Sequence, residues 1–193
     1  DIRDFKKIRN KKNNCLYTGS FVKGKGIETI ISIASLLPHV RFFLYGNKKT
    51  LNNHLHKKIV NQKNIFLNDF ASYNRISTIL PRSKILLMPY EEKVGVLIKN
   101  LDVSNYISPL KLFDYLASGS TIIASNKKAY DHILKHKFNC FLINSSKNKE
   151  WAKIIDLILS KKLNTKTIQK NSIKTAKKYS WLKRVEAINK FNT

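Results

Sequence analysis

Cysteine, acidic residues and long apolar runs are all scarce in this chain, and each scarcity removes a class of protein. Cysteine occurs twice, at Cys15 and Cys140, far apart and without a C-x-x-C pair. A disulfide framework is therefore excluded, and both thiols read as reduced core residues of a cytoplasmic protein. No apolar run approaches the ~20 residues that cross a bilayer, and the opening residues do not read as a secretory signal. His132 and His136 stand four apart, and His54 and His56 two apart, with no His-Glu-x-x-His around them. They read as surface histidines rather than zinc ligands. No G-x-S-x-G elbow is present for a serine nucleophile.

Acidic residues number 12 against 37 Lys and Arg, a formal charge of +25 over 193 residues. Two readings stay open. Lys and Asn are spread along the whole chain, as a biased codon usage would leave them. A positive field also attracts an anionic partner: a nucleotide diphosphate, an acidic membrane surface, or nucleic acid. No nucleic-acid-binding motif accompanies the charge, so a basic nucleic-acid module is the weakest of these. From Lys147 onward there are 13 basic and 3 acidic residues. Helices there form either a solvated basic face or one that lies on an anionic leaflet.

A hydrophobic share of 42% suits a globular domain with a substantial core. Residues 1–13 are polar and basic and read as a linker or interdomain segment. The chain opens on Asp1 rather than Met, which fits a piece of a longer protein. From residue 14 to 193 short strands alternate with helical stretches. Strands are predicted at Cys15–Thr18, Val40–Tyr45, Asn64–Leu67, Lys84–Met88, Ser120–Ala124 and Cys140–Ile143. Helices are predicted at Ile27–Leu37, Tyr73–Leu80, Leu110–Ser118, Ala129–Lys135 and through the tail after Lys147. This order predicts an α/β, Rossmann-like, doubly wound parallel sheet of about six strands, with helices on both faces and a helical C-terminal tail.

In such sheets a ligand sits beyond the carboxyl ends of the strands, where strand order reverses. Three segments there carry candidate chemistry. The first, Thr18-Gly19-Ser20-Phe21-Val22-Lys23-Gly24-Lys25-Gly26, has three glycines for close backbone approach, two lysines, and a helix N-terminus behind it. Those are the properties of a diphosphate site, though the spacing is neither G-x-G-x-x-G nor a Walker A loop, and a tight turn with solvated lysines has the same letters. The second begins at Ser108, read as an N-cap, with Pro109 at the first helical position. Backbone N–H groups of Leu110 and Lys111 would face an anion there, with Asp114 one turn on, beside a ribose diol. An ordinary capped helix is the alternative. The third, Asn68-Asp69-Phe70-Ala71, would wall a nucleobase through Phe70, unless Phe70 is simply buried in the core.

Together these segments resemble the C-terminal domain of the family-4, or group 1, glycosyltransferases of the GT-B fold. The matching pieces are Tyr17–Gly19 through Lys25-Gly26, Phe43–Gly46, Asn64–Phe70, Leu86–Tyr90 and, most specifically, Ser108–Ser125. Tyr179–Arg184 also resembles the family's terminal segment, which packs back toward the other domain. The resemblance spans roughly residues 14–191. It implies that Lys25 contacts a donor diphosphate, with Gly19 and Ser20 in the same loop. It implies that Ser108, Pro109, Leu110 and Lys111 form the helix tip that meets the diphosphate. Asp114 would bind the ribose, Phe70 would lie at the base, and Lys25 and Asp114 would be the catalytic pair.

The activity implied is transfer of a sugar from a UDP- or GDP-sugar to a glycan or lipid-linked acceptor, with retention. No metal or other cofactor is implied, and no Asp-x-Asp occurs. An N-terminal GT-B domain, in the parent chain or a separate subunit, would complete the site; without it the domain is expected to be inactive. The implied location is cytoplasmic, at most peripheral on the inner face of the membrane. Three positions depart from the family pattern: Ser20 where Arg is common, Tyr106 where an acidic residue is expected, and Asp114 in place of Glu. The sugar-facing carboxylate is then either absent or supplied by the long loop, for example by Glu91, Glu92 or Asp102. A GT-B-like domain without catalytic activity shares these departures.

Overall fold

The computed structural model describes residues 2–93 and 110–191. Among these residues six strands form one sheet: β1 (Lys12–Thr18), β2 (Arg41–Tyr45), β3 (Ile65–Asn68), β4 (Ser83–Met88), β5 (Thr121–Ser125) and β6 (Phe141–Ile143). All pairings are parallel and the lateral order is β3-β2-β1-β4-β5-β6. The chain thus builds outward from β1 to β3, then returns to the other side of β1 and builds outward again. Order reverses between β1 and β4, and the crevice beyond their carboxyl ends is where such a sheet takes a ligand.

Among the described residues seven α-helices accompany the strands: α1 (Ile27–Leu36), α2 (Asn53–Val60), α3 (Tyr73–Ile79), α4 (Leu110–Ala117), α5 (Asn148–Leu159), α6 (Lys166–Lys178) and α7 (Trp181–Phe191). Along β4, Ile85 and Leu87 join one buried cluster while Leu86 and Met88 join another. A strand covered on both faces needs apolar side chains at every position, which is why its sequence is a continuous apolar run. The first cluster packs under α1, α2 and α5, the second under α4 and α6. Cys15 and Cys140 are free and buried, and burial pushes both thiols up, Cys140 to about 12. Among the described residues no helix is long and apolar enough to cross a membrane.

The end of α1 is sealed by a distant side chain. Asn64 is buried, and its Nδ2 lies 3.0 Å from the Ala34 carbonyl oxygen, 2.9 Å from that of Leu37 and 3.0 Å from that of Val40. The Ala34 and Leu37 carbonyls also accept the Leu37 and Val40 N–H groups, so Asn64 supplies their second hydrogen bond where burial removes water as a substitute. Asn64→Leu keeps the volume but removes both donors. It is expected to cost about 2–3 kcal/mol, a fall in Tm of about 4–12 °C for a domain of this size. Calorimetry on the two proteins checks this.

Two elements differ from the sequence expectation. The helix predicted over Ala129–Lys135 is a 3-10 turn at Lys128–Tyr130 that runs into further turns. Asn139 ends it: its Oδ1 accepts from the Lys135 N–H at 2.8 Å, its Nδ2 donates to the Ile133 carbonyl at 2.8 Å, and Lys137 closes the turn at φ 59. The polar opening segment is structured in part: Ile2–Asp4 is a 3-10 turn and β1 starts at Lys12.

Candidate functional site

At the carboxyl end of β1 the chain turns through Gly19–Gly26 into α1. Gly26 has φ +83, and a Cβ there would overlap the carbonyl of Pro89, the residue just after β4. Gly19 has φ +145, and a Cβ there would come within 2.8 Å of Lys111 Nζ and 3.0 Å of Tyr17 Oη. The glycines were expected to let a ligand approach the backbone. In the structure the groups nearest these two positions are protein atoms: a neighbouring carbonyl at Gly26, an ammonium and a phenol at Gly19. The turn is pinned further by Tyr17 Oη donating to the Ser20 carbonyl at 2.8 Å and by the Gly24 carbonyl accepting from the Glu91 N–H at 3.0 Å.

Lys111, on the first turn of the described α4, was singled out for its backbone N–H, and the structure gives its side chain a place as well. Its side chain reaches under the glycine turn, where Nζ donates to the Thr18 carbonyl at 2.8 Å and stands 4.1 Å from the Tyr17 ring centroid. It is also 5.0 Å from the Tyr90 ring centroid, and Lys25 Nζ is 5.0 Å from that same centroid. Two ammonium groups therefore meet around one aromatic ring, whose π face offsets part of their desolvation. Burial, then the charge of Lys25, hold the Lys111 ammonium well below the ordinary lysine range, and burial lowers Lys25 as well. Among the described residues neither lysine is ion-paired.

Tyr115 fixes α4 to the sheet. Its hydroxyl accepts from the Thr18 N–H at 2.9 Å and points toward the Leu87 carbonyl at 3.4 Å, spanning β1 and β4 at the reversal point. One residue earlier, half-buried Asp114 has its carboxyl pushed up, first by burial and then by Asp4.

These groups open into one cavity of about 560 Å³. Gly19, Ser20, Lys25, Phe70, Leu110, Lys111 and Asp114, all singled out in the sequence, line it together with Tyr90. Ser108 and Pro109 fall outside the described residues, as do Asp102 and Tyr106. Phe70 is 79% exposed, so its alternative reading as a core residue is corrected: it follows β3 into a loop and stands at the cavity wall. Among the described residues Asp114 is the one carboxylate of the lining. Glu91 lies instead among Glu28, Lys23 and Lys127. Sequence reasoning missed Tyr17, Tyr90, Tyr115 and the Lys111 side chain. The available signal was a tyrosine at or just beyond the apolar stretch of each central strand, Tyr17 in β1 and Tyr90 after β4.

The family described as Glycosyl transferases group 1 matches residues 1–178. The chain belongs to this family. No curated protein sequence gives a significant match. Among solved structures, Anabaena HepE in complex with UDP and glucose superposes with a TM-score of 0.70 at 16% identity, covering 91% of this chain and 50% of that one. Sucrose-phosphate synthase from Thermosynechococcus elongatus gives 0.78 at 14% identity, covering 100% and 50%. The C-terminal domain of the group 1 glycosyl transferase LpcC from Francisella tularensis gives 0.72 at 18% identity, covering 94% and 98%. At these identities the likeness is one of fold. The group 1 domain described here spans half the length of the first two of these proteins and nearly all of the third, itself a C-terminal domain.

Proposed function

We propose that this domain holds the nucleotide diphosphate of a UDP- or GDP-sugar in the 560 Å³ cavity and belongs to a retaining, metal-independent glycosyltransferase acting on a glycan or lipid-linked acceptor. The observation that carries the reading is the convergence of Lys25 and Lys111 on Tyr90, with neither ion-paired among the described residues. Two like charges held half-buried against one ring are costly unless an anion joins them, and a diphosphate brings the complementary charge. Asp114, on the same wall, accepts hydrogen bonds from the ribose diol, and exposed Phe70 offers a ring to the base.

In the transfer step an acceptor hydroxyl oxygen bonds to the anomeric carbon on the face the donor leaves. The bond from that carbon to the β-phosphate oxygen breaks, and the hydroxyl proton passes to the departing diphosphate. Fixed cations stabilise the charge that grows on that oxygen. Acceptor and remaining catalytic groups come from a second, N-terminal domain in the same chain or another subunit. The apolar face of α7, where Trp181, Leu182, Val185 and Ile188 are each at least half exposed, is suited to meeting it.

A UDP- or GDP-sugar at millimolar concentration is expected to raise the Tm, and Lys25→Ala and Asp114→Ala to abolish the rise. No rise with any of several nucleotide sugars would remove the reading.

A further inference from the structure

A larger cavity, of about 770 Å³, lies at the opposite end of the sheet. Its lining includes Lys11, just before β1, Lys84, at the start of β4, and Gly119, just before β5. In a parallel sheet these are amino ends, so this cavity and the donor cavity sit at opposite poles.

The chemistry of its lining is one-sided. Lys7, Arg9, Lys11, Lys84, Lys161, Lys166 and Lys170 all line it, and among the described residues no carboxylate does. None of the seven forms an ion pair among the described residues. The residues leading into α6 and its first turn, Asn164, Thr165 and Lys166, open at the same mouth, adding the positive end of a helix dipole. Lys11 is held in place rather than waving in solvent: half-buried, its Nζ donates to the Pro81 carbonyl at 2.6 Å and to Ser120 Oγ at 3.1 Å. Burial and the neighbouring Lys84 lower its pKa to about 8. The floor between the cations is apolar, built from Ile2, Phe5, Ile8, Leu163 and Ile173.

Concentrated positive charge around an apolar floor matches one chemistry: a phosphate group attached to hydrocarbon. A nucleic acid would find no apolar complement to this floor, and a free phosphate would leave the floor unused. We propose that this cavity receives the phosphate headgroup of an anionic phospholipid and docks the domain on an acidic membrane surface by the pole opposite the donor cavity. The lysines meet the phosphate, and the apolar floor meets the glycerol and the first methylenes of the chain.

The test compares two triple variants of equal charge change. Lys161→Glu/Lys166→Glu/Lys170→Glu alters the exposed rim of the cavity, and Lys49→Glu/Lys93→Glu/Lys128→Glu alters a remote exposed surface at the opposite pole, beyond the carboxyl ends of β2, β4 and β5. Co-sedimentation with equimolar phosphatidylglycerol–phosphatidylcholine vesicles at ~0.15 M salt is measured for each, with pure phosphatidylcholine as the blank. The rim variant is expected to lose binding tenfold or more and the remote variant less than about threefold, since surface lysines act on an acidic leaflet within a Debye length. Equal losses would mean diffuse charge, and no binding by the parent protein would mean no site; either overturns the proposal. A Tm rise with tripolyphosphate that depends on the rim lysines, without recruitment to vesicles, would assign the cavity to a free polyphosphate and likewise overturn the lipid. The Tm rise with a nucleotide sugar should persist in the rim variant, so the two sites fail separately.

Discussion

Lys111→Met is expected to weaken nucleotide-sugar binding about 10- to 100-fold while leaving the fold at least as stable near neutral pH. Methionine keeps the length and most of the volume of the side chain and removes the ammonium. The binding loss corresponds to a charge-assisted contact of about 1.5–3 kcal/mol. The stability argument runs through protonation. Burial holds the folded-state pKa of Lys111 well below 10.5, its ordinary value, so between the two values the folded protein carries fewer protons than the unfolded chain. Stability then rises with pH through that window, and the cost of the buried charge is fully present below it. Methionine removes this dependence. The Tm of the parent should therefore climb relative to the variant as pH increases toward 10.5, read by thermal scans across pH.

The same linkage acts on the ligand. A bound diphosphate favours the charged form of Lys111, so binding takes up a proton, and affinity should fall as pH rises through the window. Calorimetric titrations in buffers of different ionisation enthalpy would detect the uptake. A Met variant that binds as tightly as the parent would place the diphosphate elsewhere.

Gly26→Ala is expected to be among the most damaging single changes in the domain. The residue needs φ +83, which any other L residue adopts at a cost, and its added Cβ would fall on the backbone carbonyl of Pro89. Neither atom can swing aside, because the carbonyl belongs to the main chain and the Cβ is fixed directly to it, where β1 and β4 feed the site. A loss of about 3 kcal/mol or more is expected, lowering Tm by roughly 6–12 °C. Denaturant titration with a ligand-free sample measures it. A near-neutral result would mean that the two turns separate freely, and the cavity wall with them.

How far the sequence foretold this arrangement differs element by element. The inner strands were legible because burial on both faces leaves only apolar residues in them, as in the Ile85–Met88 run of β4. The parallel order followed from helices between strands. The turn near Ala129 was misread because its decisive residue, Asn139, lies beyond it and acts through a side chain that takes the hydrogen bonds a helix would have used. In the candidate site, the meeting of Lys25 and Asp114 in one cavity was legible from the glycine turn and the helix start that carry them. The Lys111 side chain was not, since its partners Thr18, Tyr17 and Tyr90 lie far along the chain and meet it only when strands β1 and β4 become neighbours. Tyr115 escaped notice for the same reason: a tyrosine inside an apolar helix face reads as packing, and its hydroxyl gains its meaning from an amide 97 positions away.

The six residues of β4 run from the lysine-rich pocket at one pole to the edge of the other, about 20 Å at the usual rise of a strand. That exceeds the roughly 8 Å over which solvent-exposed charges sense each other in physiological salt, so an anion at one mouth is screened from the exposed lysines at the other. The route left between the two ends runs along α4, where a third cavity shares Ile2, Phe5 and Ala117 with the lysine-rich pocket and Leu110 and Asp114 with the donor cavity.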